Sequence, residues 1–262
     1  MLSGPPKDNN VLSLFRLTGK VAVVTGGTRG IGWEASQAMA EAGAQVAIIY
    51  TAYPNPEDRI AELEALGVKC RAYKSSTNDA QAIDATLQQI VKDFGKIDIV
   101  IANAGINQHV KSLDYTPDYW KHEIDVNVNG SFFTAQAAGK IFKAQGYGNL
   151  LFTASISGTI VNVPQCQAAY NAAKAAVIQM SKSLAVEWID FARVNTLSPG
   201  YIRTDMTVHH DSEKLEEWDR RTPARRMAEP SELKGGFLYL VSDASSYTTG
   251  IDLIIDGGYT AV

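Results

Sequence analysis

The sequence predicts an α/β fold, a single doubly wound parallel sheet of seven strands with helices on both faces. Three observations predict it. Short runs rich in Val and Ile alternate with stretches of helical periodicity along most of the 262 residues. Those runs are nearly continuous in apolar character, as strands buried on both faces are. A Gly-rich turn joins the first of them directly to a helical pattern. Strict alternation of this kind yields a parallel sheet, and right-handed crossovers wind it in both directions.

Residues 1–10 are polar, hold Pro5-Pro6, and read as a disordered tail, while 11–262 read as one domain. Residues 11–17 form a short apolar segment expected to pack on that domain. KVAVVT at 20–25 is the first strand. A helix follows over 32–42, with Gly43 as its stop. AQVAIIY at 44–50 is the second strand, and Pro54-Asn55-Pro56 turns the chain after it. A helix at 57–66 carries Ile60, Leu63 and Leu66 at helical spacing. A short strand at 70–74 leads to a helix at 79–94 that ends at Gly95. IDIVIA at 97–102 is the fourth strand. One long helix is expected over 117–144, a strand at 149–154, a second long helix at 167–190 and a strand at 192–197. A variable segment spans 201–226, a helix 230–242, and a strand at 252–256 closes the sheet. No internal repeat or linker interrupts the series.

Composition narrows the function classes. Hydrophobic residues make up 45% and charged residues 20%, a globular balance. The formal net charge of −4 argues against nucleic acid or an anionic membrane as the main partner. No apolar stretch reaches the roughly 18 residues of a membrane span. The N-terminus lacks the apolar run of a signal peptide, so a cytoplasmic enzyme is expected. The two cysteines, Cys70 and Cys166, read as small, mostly buried residues. No Cys/His cluster has metal-ligand spacing, and no metal is expected.

The first strand runs into Thr25-Gly26-Gly27-Thr28-Arg29-Gly30-Ile31-Gly32. Gly26, Gly30 and Gly32 let the backbone turn tightly and approach a pyrophosphate. The following helix N-terminus supplies free N–H groups and positive potential. A Gly-rich turn between a strand and a helix near the chain start is the context that a Rossmann dinucleotide fingerprint requires. A site for NAD places an acid at the end of the second strand, to bond the ribose 2′-hydroxyl. Here that place holds Tyr50-Thr51-Ala52-Tyr53. With no carboxylate to repel a 2′-phosphate, and with the cation of Arg29 in the turn, the expected cofactor is NADP(H). Thr51 offers the phosphate a neutral hydrogen bond.

A second motif carries acid–base chemistry. Tyr170 and Lys174 are four residues apart on a predicted helix and so share one face. A nearby ammonium favours the phenolate and is expected to lower the phenol's pKa from about 10. Tyr170 then protonates a carbonyl oxygen, or in reverse removes an alcohol proton. Alone, this pair is common on helix surfaces. Its surroundings give it meaning. Strand ends and loops bring Ser155 and Ser157, Asn103-Ala104-Gly105, and Pro199-Gly200-Tyr201-Ile202-Arg203-Thr204 to one sheet edge, the edge where open α/β sheets bind ligands.

Together these residues resemble the short-chain dehydrogenase/reductase family, whose motifs span nearly the whole chain here in family order. The resemblance implies a catalytic tetrad of Asn127, Ser155, Tyr170 and Lys174. It implies that Ser155 orients the carbonyl, that Lys174 bonds the nicotinamide ribose, and that Asn127 holds a water linking Lys174 to solvent. It places Asn103 as a stabiliser of the central strand, with Ala104 and Gly105 near the cofactor. Ile202 and Thr204 fall against the carboxamide. The family usually separates serine and tyrosine by 13 positions, which would select Ser157. Gly158, three after the serine, selects Ser155 instead, and Ser155 is favoured, with Ser157 then a loop hydroxyl bonded to backbone. At Ser75-Ser76-Thr77 many members carry an Asp-Val that touches the adenine, so Ser76 alters that contact.

A narrower resemblance covers much of the second half. Residues 153–158, Val163-Pro164-Gln165, 170–174, Trp188 and 255–259 are similar to fungal mannitol dehydrogenases and sorbose reductases. This implies an NADP-dependent interconversion of a ketose, such as fructose or sorbose, with its polyol. Each hydroxyl of such a substrate needs a polar partner. The candidates are Asn107, Gln108 and His109 after the fourth strand, with Ser157, Asn162, Gln165 and Gln167 before the tyrosine. A mobile lid is implied at 204–226, with Leu215 and Trp218 as its inner face. The alternatives are reduction of another ketone, such as a secondary-metabolite intermediate or a 3-oxoacyl group, and a cofactor-binding sensor without chemistry. The family also implies a homotetramer, with Ala135, Ala137, Ala138 and Gly139 permitting close contact between subunits.

Overall fold

The predicted strands form in a computed structural model that describes residue 6 and residues 10–262. They are β1 (Val21–Thr25), β2 (Gln45–Tyr50), β3 (Cys70–Lys74), β4 (Ile99–Ala102), β5 (Asn149–Thr153), β6 (Arg193–Pro199) and β7 (Asp252–Ile255). All pair in parallel, in the order β3-β2-β1-β4-β5-β6-β7. The order reverses between β1 and β4, and ligands enter a doubly wound sheet at that switch point. Most of the expected tail lies outside the described residues. The first helix, α1 (Val11–Leu14), leaves Val11 and Leu12 exposed, and it is Leu17 that packs on the domain.

Helices α2 (Gly30–Glu41), α3 (Pro56–Glu64), α4 (Ala80–Phe94), α5 (Pro117–Ile124), α6 (Gly130–Gln145), α7 (Ala168–Glu187), α8 (Ser212–Arg221) and α9 (Lys234–Val241) complete the order. Two cores sandwich the sheet. One gathers Ile83, Leu87 and Ile90 of α4, Ala138 and Phe142 of α6, and Val177 of α7. The other gathers Trp33 and Met39 of α2 with Phe237 and Leu240 of α9.

The helix expected over 117–144 is interrupted. A wide π-turn, Asp125–Asn129, separates α5 from α6. Such turns insert one extra residue into a helix and often sit at functional sites. Here Asn127 is its buried residue. The small residues of α6 are also corrected. Ala135, Ala137 and Ala138 are buried within the chain itself, and a Cβ on Gly139 would lie 2.7 Å from the Trp188 ring. They serve intramolecular packing, so they are not surface available to a second subunit. Cys70 is buried, and burial pushes its thiol up to about 12, but Cys166 is exposed, contrary to expectation.

Candidate active site

The Gly-rich turn is built as its sequence requires. Gly26 and Gly30 hold φ of +64° and +52°, a region that glycine occupies without strain. A Cβ on Gly32 would lie 2.2 Å from Gly26 O and 2.4 Å from Asn103 Nδ2. The N-cap of α2, Arg29, makes no side-chain cap, which leaves first-turn N–H groups for an anionic ligand. Thr25 Oγ1 accepts from the N–H groups of Asn103 (2.9 Å) and Ala104 (3.0 Å), and Asn103 Nδ2 donates to Thr25 O at 3.0 Å. Asn103 thus fastens β4 to β1. Thr204 packs over the turn, with Cγ2 3.5 Å from where a Gly30 Cβ would stand.

At the end of β2, Tyr50 is half-buried and Thr51 exposed, with no carboxylate from 50 to 53. Arg29 is exposed beside them. A second cation stands at the same lip. Arg59 Nε donates to Thr28 O at 3.1 Å. Sequence reasoning missed it, because its partner lies 31 positions earlier and no local pattern links the two. Ser75 Oγ, just past β3, is buried without a hydrogen-bond partner, while Ser76 Oγ bonds Asn78. Open N–H groups, cations in place of an acid, and an orphaned hydroxyl fit a dinucleotide that carries an extra phosphate.

Asn127, Ser155, Tyr170 and Lys174 gather past the carboxyl ends of β4 and β5. Ser155 Oγ accepts from Ser157 N (3.1 Å) and donates to Ser157 Oγ (3.0 Å). Its hydroxyl is close enough to the Tyr170 phenol to pull that phenol's pKa down. Ser157 bonds side chains, Ser155 and Gln167, rather than only backbone. Asn127 is fully buried in the π-turn. Its Nδ2 donates to Ile106 O and Glu123 O, both at 2.9 Å, and its Oδ1 accepts from Ile106 N at 3.2 Å. Gly105 is required there, since a Cβ would lie 2.7 Å from Asn127 Oδ1.

The tyrosine–lysine pair departs from expectation. Lys174 Nζ stands 5.4 Å from the Tyr170 ring centroid but donates to Thr153 O at 2.9 Å. Burial pushes the phenol up to about 12, the Ser155 bond pulls it back, and the Glu123 charge adds to the rise. The same burial pushes Lys174 down to about 8. The expected lowering of the phenol is therefore absent in this state. Spacing sets the shared helix face, but a buried ammonium goes to the nearest acceptor.

This burial has a measurable consequence. Unfolded, Lys174 keeps its proton up to the ordinary 10.5; folded, it releases it near 8. Between these values the unfolded state binds more protons, so stability rises with pH. Denaturant unfolding of the wild type and Lys174→Met across that window is expected to show the wild type gaining on the variant as pH rises. Parallel pH dependences would contradict it.

Beside Ser155 and Tyr170 lies a half-open cleft. Ile31, Ser155, Ser157, Tyr170, Pro199, Gly200, Ile202 and Thr204 line it together with Asn107, His109 and Gln165. The Gly-rich turn reaches the cleft through Ile31, while the ends of β2 and β3 do not line it. A polar network forms one wall. Gln165 Oε1 accepts from Trp218 Nε1 at 3.0 Å, and Asn162 Nδ2 donates to the Tyr201 hydroxyl at 3.1 Å. Gln167 Oε1 accepts from Asn107 Nδ2 at 3.2 Å. Trp218 is buried and stacks on Tyr201 at 4.5 Å. His210 stacks on His109 at 4.5 Å. The segment predicted as a lid thus covers the cleft, with Trp218 on its inner face.

Two polar atoms in this wall are buried with no hydrogen-bond partner, Asn107 Oδ1 and His109 Nδ1. Burial pushes His109 down to about 4, so its ring is neutral near pH 7. Glu123 was also missed, since a glutamate in a polar helix reads as solvent-facing. It is 1% exposed, accepts from Gln108 N (3.4 Å) and the Tyr115 hydroxyl (3.3 Å), and burial raises its carboxyl. It anchors the loop that carries Asn107 and His109. Among the described residues no His/Cys/Asp/Glu group could hold a metal, and no helix is long and apolar enough to cross a membrane.

Comparison with known proteins agrees with this geometry. Residues 26–260 match the family model described as enoyl-(acyl carrier protein) reductase. A probable NADP-dependent mannitol dehydrogenase of Yarrowia lipolytica is 48% identical over 97% of this chain and 92% of its own. A sorbose reductase of Candida albicans is 48% identical over 98% of this chain and 92% of its own. The crystal structure of an NADPH-dependent 3-quinuclidinone reductase from Rhodotorula rubra superposes with a TM-score of 0.95 at 42% identity, covering 99% of this chain and 98% of that one.

Proposed function

The chain belongs to the short-chain dehydrogenase/reductase family, and from that premise we propose that it is an NADP(H)-dependent reductase that interconverts a ketose and its polyol. The observation that carries the substrate class is the pair of unpartnered polar atoms, Asn107 Oδ1 and His109 Nδ1, in the wall of the cleft that Tyr170 lines. A buried polar atom without a partner costs free energy, and a substrate hydroxyl, which both donates and accepts, removes that cost. The names of the Yarrowia and Candida relatives point the same way.

When bound, NADPH would supply the hydride. The Gly-rich turn and the α2 N-terminus would hold its pyrophosphate, Arg29, Tyr50 and Thr51 its adenosine ribose, and Ile202 and Thr204 its carboxamide. Ser155 donates to the substrate carbonyl oxygen and fixes its direction. Tyr170, held protonated by burial, gives its proton to that oxygen in reduction. Lys174, buried next to it on Thr153 O, would hold the nicotinamide ribose of the bound cofactor. Asn127 keeps the loop from Gly105 to His109 in register. A homotetramer in a cytoplasmic setting remains our reading, with exposed Trp120, Phe132 and Val186 on α5 to α7 as apolar surface for it.

The experiment compares cofactor oxidation with fructose, sorbose, xylulose and a ketone without hydroxyls, such as cyclohexanone. Turnover on a ketose is expected, and its absence on every ketose would remove the sugar assignment. A second reading, reduction of a less polar ketone, draws on the apolar part of the cleft, Ile156, Met206 and Trp218, and on the name of the Rhodotorula enzyme. Replacing Asn107 by Leu and His109 by Phe separates the two. Ketose kcat/KM is expected to fall about 10- to 100-fold, at the hydrogen-bond scale of about 1–3 kcal/mol, while cyclohexanone turnover holds or rises.

A further inference from the structure

We propose that Arg59 is a specificity-determining residue of the cofactor site, its guanidinium fixed against the Gly-rich turn so as to receive the 2′-phosphate of the dinucleotide. This rests on the reading that the chain takes NADP(H). Arg59 lies in α3, just beyond the segment where an NAD-binding chain would place its carboxylate. Four contacts hold it. Nε donates to Thr28 O at 3.1 Å, inside the turn itself. The guanidinium carbon lies 4.3 Å from the Trp33 ring centroid and 5.8 Å from that of Tyr53. Nη1 pairs with Glu62 Oε1 at 2.8 Å.

These contacts leave donors to spare. A guanidinium has five N–H groups in a planar fork suited to phosphate. Nε and Nη1 have partners, while Nη2 has none among the described residues. Arg29, by contrast, is an exposed side chain with no hydrogen bond or ion pair, and ordering it on binding costs conformational entropy. Arg59 is ordered in advance by stacking and by the Thr28 carbonyl. Glu62 is its only ionic partner among the described residues, and an incoming phosphate competes with that carboxylate for the same cation.

The test is calorimetric titration of the full chain with 2′,5′-ADP and 5′-AMP, which differ only in the 2′-phosphate. Arg59→Ala is expected to weaken 2′,5′-ADP about 10-fold or more, the scale of a hydrogen bond to a charged group, and to leave 5′-AMP nearly unchanged. Glu62→Gln is expected to tighten 2′,5′-ADP alone, up to about 5-fold. Equal weakening of both ligands by Arg59→Ala would make the residue a brace for the turn and overturn the proposal, as would no change in either. If that variant does not fold, Glu62→Gln decides, and an unaltered 2′,5′-ADP affinity overturns it. A wild type that binds 2′,5′-ADP no better than 5′-AMP would remove the NADP(H) reading itself.

Discussion

Tyr170→Phe is expected to lower kcat for carbonyl reduction by about 10²- to 10⁴-fold, the usual contribution of a placed general acid, with NADPH affinity unchanged. The substitution deletes one oxygen and keeps the ring, so the packing of α7 survives. It removes the phenol that lines the cleft beside Ser155. The pH dependence follows from the burial that pushes this phenol up to about 12. Below that value Tyr170 holds its proton and is ready to donate, so reduction should be flat through neutral pH. Oxidation needs the phenolate, so polyol oxidation should climb as pH rises. Steady-state rates in both directions, with fluorescence titration of NADPH, check both points. A variant that reduces its substrate at the wild-type rate would remove Tyr170 from the chemistry.

Gly32→Ala is the second large effect. The added methyl would stand 2.2 Å from Gly26 O and 2.4 Å from Asn103 Nδ2. Neither atom can yield easily, because Asn103 is the tie between β4 and β1. Overpacking of this kind costs about 1–3 kcal/mol, and any relief moves the turn away from the pyrophosphate. Loss of measurable NADPH binding is expected together with a lowered denaturation midpoint. Gly235→Ala is the control. Nothing lies within 4 Å of a Cβ there and its φ is not positive, so it should be neutral or stabilising by up to about 1 kcal/mol. Similar losses in both variants would show that helix glycines matter here for flexibility rather than for space.

The sheet and the turn could be read from the sequence because burial on both faces writes continuous apolar runs, as in VAVVT and IVIA, and a phosphate turn needs glycine at fixed offsets. Ser155, Tyr170 and the cleft residues Asn107, His109 and Gln165 were legible for a related reason, since strand ends and the start of a helix place them at one edge. What was not legible depends on contacts between distant segments. Arg59 acquires its place from Thr28 and Trp33. Glu123 is buried because Tyr115 and the Gln108 N–H surround it. The lysine's direction depends on which acceptor a flexible side chain finds, and here that is Thr153 O. The π-turn left no mark in apolar periodicity, because Asp125-Val126-Asn127-Val128-Asn129 alternates polar and apolar residues where a helical stripe would show a shift.

That irregular turn separates chemistry from architecture. A regular helix advances by about 100° per residue, but a π-turn takes up its extra residue within one wide turn, so the helix after it keeps its phase. Ala135, Ala138 and Phe142 stay in the core while the amide of Asn127 reaches Ile106. Removing one residue between 125 and 129 would let the turn close to a regular one, sparing that core and withdrawing the amide from the loop. A length change there would therefore surface first at the reacting carbonyl and only later in the fold.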